Sequence, residues 1–165
     1  MSTFNIHAAT FSKVSQHSEP KTVLSVVVPF FNEQEVLPEF HRRLVAVLDA
    51  MPERCEIVYV DDGSKDDSLM IAQNFSQSSS DVRCIALSRN FGKESAMSAG
   101  LEHCQGEAVI VIDADLQDPP ELIPKMVSKW REGYDVVNMQ RSERHGETWF
   151  KRFSAACFYK VLNSM

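Results

Sequence analysis

Several patterns that identify common protein classes are absent from this sequence. Its 165 residues include four cysteines and five histidines, but none follows the C-x-x-C or H-x-x-x-H spacing of zinc and redox sites. The net charge of −6 at pH 7 and the pI near 5.3 argue against the basic surface that nucleic-acid binding requires. We therefore expect buried free thiols, no zinc site and no nucleic-acid partner.

Long apolar runs are also missing. No stretch approaches the roughly 18 apolar residues that are needed to span a bilayer. The N-terminus lacks the basic and apolar regions of a signal peptide. Residues 1–22 are polar and show no periodic pattern, so we expect a mobile leader there. These features predict a protein that is made in the cytoplasm and stays there.

The glycine-rich signatures of two large nucleotide-binding classes are absent as well. No G-x-G-x-x-G follows the first predicted strand, and no G-x-x-x-x-G-K-S/T occurs anywhere. A dinucleotide oxidoreductase and a P-loop NTPase are therefore disfavoured. A phosphatase of the D-x-D type is disfavoured too, because Leu116 and Gln117 do not match the glycine and hydroxyl residue expected soon after its nucleophile.

From residue 23 onward, short β-branched runs alternate with helical segments. The runs lie at 23–28, 55–60, 82–87, 107–112 and 134–139, and the segments between them carry apolar residues at helical spacing. This alternation is typical of the α/β class, in which a mostly parallel sheet is flanked by helices. The sequence predicts one such Rossmann-like domain over 23–147.

The segment 148–165 has a different character. It contains three basic residues, no acidic residue and several aromatic residues at helical spacing, which together predict an amphipathic helix. A basic amphipathic helix can lie in a membrane interface, but the same pattern fits a surface helix packed on the sheet. The pattern alone leaves both alternatives open.

Acidic residues follow three of the predicted strands, within the segments PFFNE (29–33), DDGS (61–64) and DADLQD (113–118). Because parallel strands place their carboxyl ends at one edge of a sheet, these acids should converge there. Crowded carboxylates repel one another unless a cation lies between them, and oxygen ligands suit Mg²⁺ or Mn²⁺. Asp113 and Asp115 are therefore candidate metal ligands, although Asp113 and Asp118 could instead cap turns.

Two further segments have both a functional and a structural interpretation. The DDGS segment is either a turn that ends a strand or a place where a carboxylate accepts hydrogen bonds from a base or a ribose. Arg89 and Lys93 flank a glycine-containing loop, which either meets a diphosphate or is simply solvated.

Five motifs together resemble the inverting glycosyltransferases of family 2. They are VVVPFFNE, VYVDDGSKDDS, LSRNFGKESAMSAGL, VIDADLQDPPELIPKM and MQRSER, in the order and spacing of that family. The combination of DADLQDPPE with RNFGKE is similar to the polyprenyl-phosphate branch, which includes dolichol-phosphate mannose synthases and bactoprenol glucosyltransferases. The resemblance covers about residues 24–163 and implies the GT-A fold.

The resemblance also implies roles for individual residues, which are carried over by motif. Pro29, Phe31, Glu33 and Asp62 would bind the nucleoside, and Lys93 and Asp113 would complete the nucleotide site. The metal would be held by Asp113, Asp115 and Gln117. The acceptor phosphate would be bound by Arg141 and Arg144. Asp115 at the metal and Arg141 at the acceptor are the expected catalytic residues.

The implied reaction is metal-dependent transfer of a sugar from a UDP- or GDP-sugar to a polyprenyl phosphate. Its place would be the cytoplasmic face of the inner membrane, with peripheral contact through 148–163. Members of the branch run on well beyond the matched region, through acceptor-site strands and transmembrane helices. The alternative is therefore an inactive fragment that binds the nucleotide-sugar without transferring it. The sequence does not determine the oligomeric state, and a homo-oligomer is one of the alternatives.

Overall fold

The computed structural model describes residues 4–9 and 23–141, which form six strands and four helices. The strands are β1 (Phe4–Ala9), β2 (Val23–Phe30), β3 (Arg54–Asp61), β4 (Val82–Ala86), β5 (Ala108–Val111) and β6 (Val136–Arg141). The helices are α1 (Leu37–Asp49), α2 (Ser68–Ser78), α3 (Lys93–Glu102) and α4 (Ile123–Arg131), with a 3₁₀ turn at Pro120–Leu122 before α4. The chain divides into two compact units, Val14–Lys125 and the pair of segments Met1–Lys13 and Met126–Met165.

The unit Val14–Lys125 is built on a four-stranded parallel sheet. Its strand order is β4-β3-β2-β5, so β2 pairs with β3 on one side and with β5 on the other. The chain thus moves outward from β2 to β4 and then returns across the sheet to β5. The α/β class and the parallel sheet predicted from the sequence are confirmed.

The two central strands form the core of this unit. The side chains of 26–28 in β2 and of 58–60 in β3 are all completely buried. Strands covered on both faces bury every residue, which explains why these runs are continuously apolar and β-branched instead of alternating. On α1, the buried residues Leu37, Phe40 and Leu44 recur at helical spacing, as the sequence predicted.

A polar network lies at the amino ends of the parallel strands. The Glu56 carboxylate accepts hydrogen bonds from Ser25 Oγ at 2.5 Å, from the Gln105 backbone N–H at 2.7 Å and from the Arg83 guanidinium. Burial raises the pKa of Glu56, but the hydrogen bonds from Ser25, Gln105 and Arg83 outweigh it, so the net pKa is lowered. The hydrogen-bonding capacity of the Glu56 carboxylate is therefore satisfied by groups of the protein itself.

Helix α3 lies close against the sheet because its buried Gly100 has no side chain. A Cβ atom at Gly100 would lie 2.4 Å from Val27 Cγ1 and 3.1 Å from Val60 Cγ2. The first distance is well inside van der Waals contact, so only glycine permits this approach. The close packing sets the position of α3, and α3 begins with Lys93.

The other unit contains an antiparallel pair of strands. Strand β1 pairs with β6 from Phe4 opposite Arg141 to Ala9 opposite Val136. The sequence predicted a mobile leader over 1–22, and the structure differs from it over Phe4–Ala9. The physical reason is that β6 offers a row of backbone hydrogen-bonding groups, and the residues of Phe4–His7 alternate between apolar and polar as in a strand.

Several expectations fall partly or wholly outside the described residues. The boundary predicted at 147 and the helix predicted over 148–165 lie there, and they stay predictions. Among the described cysteines, Cys55, Cys84 and Cys104 are free and partly buried. Within 4–9 and 23–141, no helix is both long and apolar enough to cross a membrane.

The packing of α3 makes a stability prediction. The Gly100→Val substitution places a branched side chain where even one Cβ would overlap Val27, and we expect it to lower the free energy of unfolding by about 3 kcal/mol. The matched control is Leu101→Val, which puts the same residue at an exposed position of the same helix and should cost under about 1 kcal/mol. Urea denaturation measures both, and equal losses would contradict this packing.

Candidate active site

The functional candidates meet at the carboxyl ends of β2, β3 and β5. Strand β2 lies where the strand order reverses, because the chain goes to β3 on one side of it and later to β5 on the other. In open parallel sheets, the loops leaving such a point diverge and form a crevice. A cleft of about 330 Å³ lies there.

Seven of the residues that the sequence assigned to the site line this cleft. They are Pro29, Phe31, Glu33, Asp62, Lys93, Asp113 and Asp115. The end of β2 and the loop after it thus supply an apolar wall with one acid, and the loop after β5 supplies two acids. The start of α3 supplies the cation.

The loop after β2 is locked to the loop after β3 by hydrogen bonds in both directions. The backbone N–H groups of Asn32 and Glu33 donate to Ser64 Oγ at 2.9 Å and to Ser68 Oγ at 2.7 Å. In return, the Lys65 N–H donates to Asn32 Oδ1 at 2.8 Å. Asn32 has φ 55°, a left-handed conformation that asparagine tolerates better than most residues. The Glu33 backbone is therefore held at the cleft by the hydroxyl group of Ser68, the first residue of α2.

The buried carboxylate of Asp62 holds the loop that follows β4. Its two oxygens accept hydrogen bonds from the Phe91 N–H at 2.7 Å and from the Gly92 N–H at 2.9 Å. Gly63 permits this arrangement, because a Cβ there would lie 2.4 Å from the backbone carbonyl carbon of Arg89. Gly63 also has φ 72°, which favours glycine. Asp62 thus anchors the glycine-containing loop as well as lining the cleft.

The loop after β5 presents Asp113 and Asp115 from a tight turn. The Gln117 N–H donates to Asp115 Oδ1 at 2.9 Å, and Leu116 between them has φ 59°. A left-handed leucine is uncommon, and such conformations often occur at functional sites. The other aspartate, Asp113, accepts a hydrogen bond from Lys93 Nζ at 2.5 Å.

The electrostatics of the cleft are dominated by negative charge. Burial raises the pKa of Glu33, and the nearby carboxylates of Asp115, Asp66 and Asp113 raise it further. Lys93 is the cation that contacts an acid of this cleft in the described structure. Among the described residues, no three or more His, Cys, Asp or Glu side chains are grouped so that they could hold a metal ion alone.

The donor set nevertheless fits one kind of metal site. Mg²⁺ and Mn²⁺ are commonly held by one or two protein carboxylates, while water and the phosphates of a bound nucleotide fill the other positions. Asp113 and Asp115 supply two carboxylates at one edge of the cleft, and burial together with the nearby carboxylates raises the pKa of Glu33. The arrangement can therefore accept a divalent cation together with a phosphate ligand.

Two predicted residues of the unit Val14–Lys125 do not line the cleft. Gln117 is exposed and does not line the cleft, although its backbone supports Asp115. The guanidinium of Arg89 lies 4.6 Å from the centre of the Phe91 ring, outside the lining residues. Arg141 ends β6 in the other unit, and Arg144 lies outside the described residues.

The sequence interpretation also missed several lining residues. Phe30, Asn90, Gly92, Ala96 and Ala114 complete the cleft. Asn90 and Gly92 belong to the RNFGK motif, so the signal was present, but only charged residues of that motif were selected. The remaining three are small or apolar, and nothing in a single sequence separates them from ordinary core residues.

Comparison with known proteins assigns the chain to a family. The family described as glycosyl transferase family 2 matches residues 25–163. An uncharacterised glycosyltransferase of Synechocystis sp. is 52% identical over 142 residues, which are 86% of this chain and 45% of the relative. The bactoprenol glucosyl transferase of Shigella phage SfV is 44% identical over 142 residues, 86% of this chain and 46% of the relative. The chain thus spans about half the length of these relatives.

A solved structure gives the same result for the fold. The mannosyltransferase PcManGT from Pyrobaculum calidifontis, in complex with GDP-Man and Mn²⁺, superposes with a TM-score of 0.56 at 26% identity. The match covers 65% of this chain and 31% of that chain. It confirms the predicted GT-A type of α/β fold for the matched part.

The anchoring by Asp62 makes a prediction about the neighbouring loop. In Asp62→Ala, the Phe91 and Gly92 amides lose their acceptors, and we expect their hydrogen exchange to accelerate by at least about tenfold, since each bond contributes about 1.5 kcal/mol or more. Asp62→Asn keeps one acceptor oxygen and should protect one of the two amides. Unchanged exchange at both amides in Asp62→Ala would contradict the anchoring.

Proposed function

Because this chain belongs to glycosyl transferase family 2, we propose that its cleft binds a nucleotide-sugar together with Mg²⁺ or Mn²⁺. The observation that carries this proposal is the pair Asp113 and Asp115 at the point where the strand order reverses, beside a cleft with an apolar wall. The reaction is the inverting transfer of the sugar to a polyprenyl phosphate.

The nucleoside is bound at the β2 side of the cleft. Phe31 is 37% exposed, so its ring offers an apolar face on which a base can stack, and Pro29 lies two residues before it. Glu33 and Asp62 accept hydrogen bonds from the ribose or the base. The oxygens of Asp62 already bond to backbone amides, but each carboxylate oxygen has a second lone pair that can accept another donor.

The diphosphate is bound at the β5 side. Asp113 and Asp115 would hold the divalent ion, and the Gln117 backbone N–H donates to the Asp115 carboxylate. When bound, the ion supplies positive charge that stabilises the departing nucleoside diphosphate. Lys93 lies at the same edge and supplies a further positive charge for the phosphates.

The acceptor side rests on the family resemblance and on one relative. The relative from Shigella phage SfV is a bactoprenol glucosyl transferase, and bactoprenol is a polyprenol. Arg141 and Arg144 pair with the acceptor phosphate, and the helix predicted over 148–163 contacts the cytoplasmic face of the inner membrane. A phosphate oxygen is already anionic, so the transfer needs orientation more than a strong general base.

A second candidate function is binding of the nucleotide-sugar without transfer. It needs only the donor cleft, whose lining residues all lie within the unit Val14–Lys125. Both candidates use the same donor cleft. They differ only in whether labelled sugar appears on an added polyprenyl phosphate.

The donor site is tested by calorimetry. UDP-glucose, UDP-N-acetylglucosamine and GDP-mannose are titrated into the chain with Mn²⁺ or with EDTA. We expect one donor to bind with Mn²⁺ and at least about tenfold more weakly with EDTA or in Asp115→Asn, because either change removes the link between protein and phosphate.

The matched control for this titration is Asp81→Asn. It is the same substitution at an acid outside the cleft, where Asp81 pairs with Arg54 at 3.6 Å, and it should leave donor binding unchanged. Equal binding with Mn²⁺ and EDTA, or an unaffected Asp115→Asn variant, would contradict the proposed function.

A further inference from the structure

The ion pair between Lys93 and Asp113 links two of the loops that form the cleft. Lys93 Nζ lies 2.5 Å from Asp113 Oδ2, and the two side chains are 55% and 31% exposed. Lys93 comes from the first residue of α3, whereas Asp113 follows β5. The ammonium group thus neutralises one of the two acids assigned to the metal.

The backbone on either side of Lys93 is fixed by a hydrogen bond and by helix packing. Gly92, directly before Lys93, donates its N–H to the buried carboxylate of Asp62, and Gly100 packs α3 against Val27. The Lys93 side chain, in contrast, is a flexible four-carbon stem that is more than half exposed. The charge can therefore move across the cleft while the loop and the helix stay in place.

We propose that Lys93 is an internal counter-cation that occupies Asp113 until the metal arrives and then transfers to the phosphates of the donor. This inference rests on the proposed function, because it needs Asp113 to be a metal ligand. A divalent ion bound to Asp113 repels an ammonium group beside the same carboxylate, whereas the diphosphate introduces new negative charge within reach of Lys93. Metal and lysine therefore compete before the nucleotide binds and cooperate afterwards.

This arrangement has a signature that a purely structural lysine would not give. Removal of the Lys93 charge should strengthen the binding of Mn²⁺ alone, because the competitor is gone. The same removal should weaken the binding of a nucleoside diphosphate in saturating Mn²⁺, because one phosphate ligand is lost. The two effects have opposite signs in a single variant.

The test compares wild type with Lys93→Met, which keeps an unbranched apolar stem without the charge, and with Lys93→Arg, which keeps the charge. Mn²⁺ binding is followed by the electron paramagnetic resonance signal of free Mn²⁺, first without nucleotide. UDP and GDP are then titrated in saturating Mn²⁺. For Lys93→Met we expect the dissociation constant to fall about fivefold for Mn²⁺ and to rise about fivefold for the diphosphate, a size typical of partly exposed ion pairs.

Lys93→Arg should stay close to wild type in both titrations. Lys93→Gln serves as a second uncharged variant, and circular dichroism verifies that each variant is folded. Unchanged or weaker Mn²⁺ binding in both uncharged variants would overturn the role of Lys93, even where wild type binds the diphosphate with Mn²⁺. A wild-type protein whose UDP and GDP binding does not depend on Mn²⁺ would overturn the proposed function and this inference together.

Discussion

The position of β2 between β3 and β5 is the constraint on which the rest of the unit Val14–Lys125 depends. Since all four strands of this sheet run parallel, every loop that leaves a carboxyl end emerges at one edge. The reversal of strand order at β2 separates the loops after β2 and β5, and the cleft opens between them. The amino ends are closed by the Ser25, Glu56 and Arg83 network, so the two edges of the sheet differ chemically.

The cleft is held in shape by the protein's own hydrogen bonds. Asp62 anchors the loop after β4, and the hydroxyl groups of Ser64 and Ser68 anchor the loop after β2. Because these hydrogen bonds already order the loops, the protein loses less conformational entropy when a ligand binds. The charged side chains of the cleft include Asp113, Asp115 and the half-exposed Lys93. Their charges can be redistributed when a ligand enters.

The sequence predicted the parallel sheet, and it predicted most of the acidic residues that line the cleft, for a physical reason. Strands buried on both faces must be continuously apolar, and residues that follow such strands in a parallel sheet must share an edge. The pairing of β1 with β6 was missed, because the apolar–polar alternation of Phe4–His7 is short and stands in an otherwise polar segment. The anchoring of the Phe91 amide by Asp62 was missed as well, since it joins residues far apart in the chain.

The central claim is that the divalent ion binds at the carboxyl ends of β2 and β5. A second cavity of about 310 Å³, which Asp49, Glu53 and Asp81 help to line, lies away from these strand ends and serves as the comparison. The most direct measurement is paramagnetic broadening of backbone amide signals by substoichiometric Mn²⁺ and UDP or GDP in the ¹⁵N-labelled chain. The account predicts broadening centred on 113–117, with 31–34 and 91–93 also affected. Broadening centred on 49–54 and 79–82, with the 113–117 signals unchanged, would contradict it.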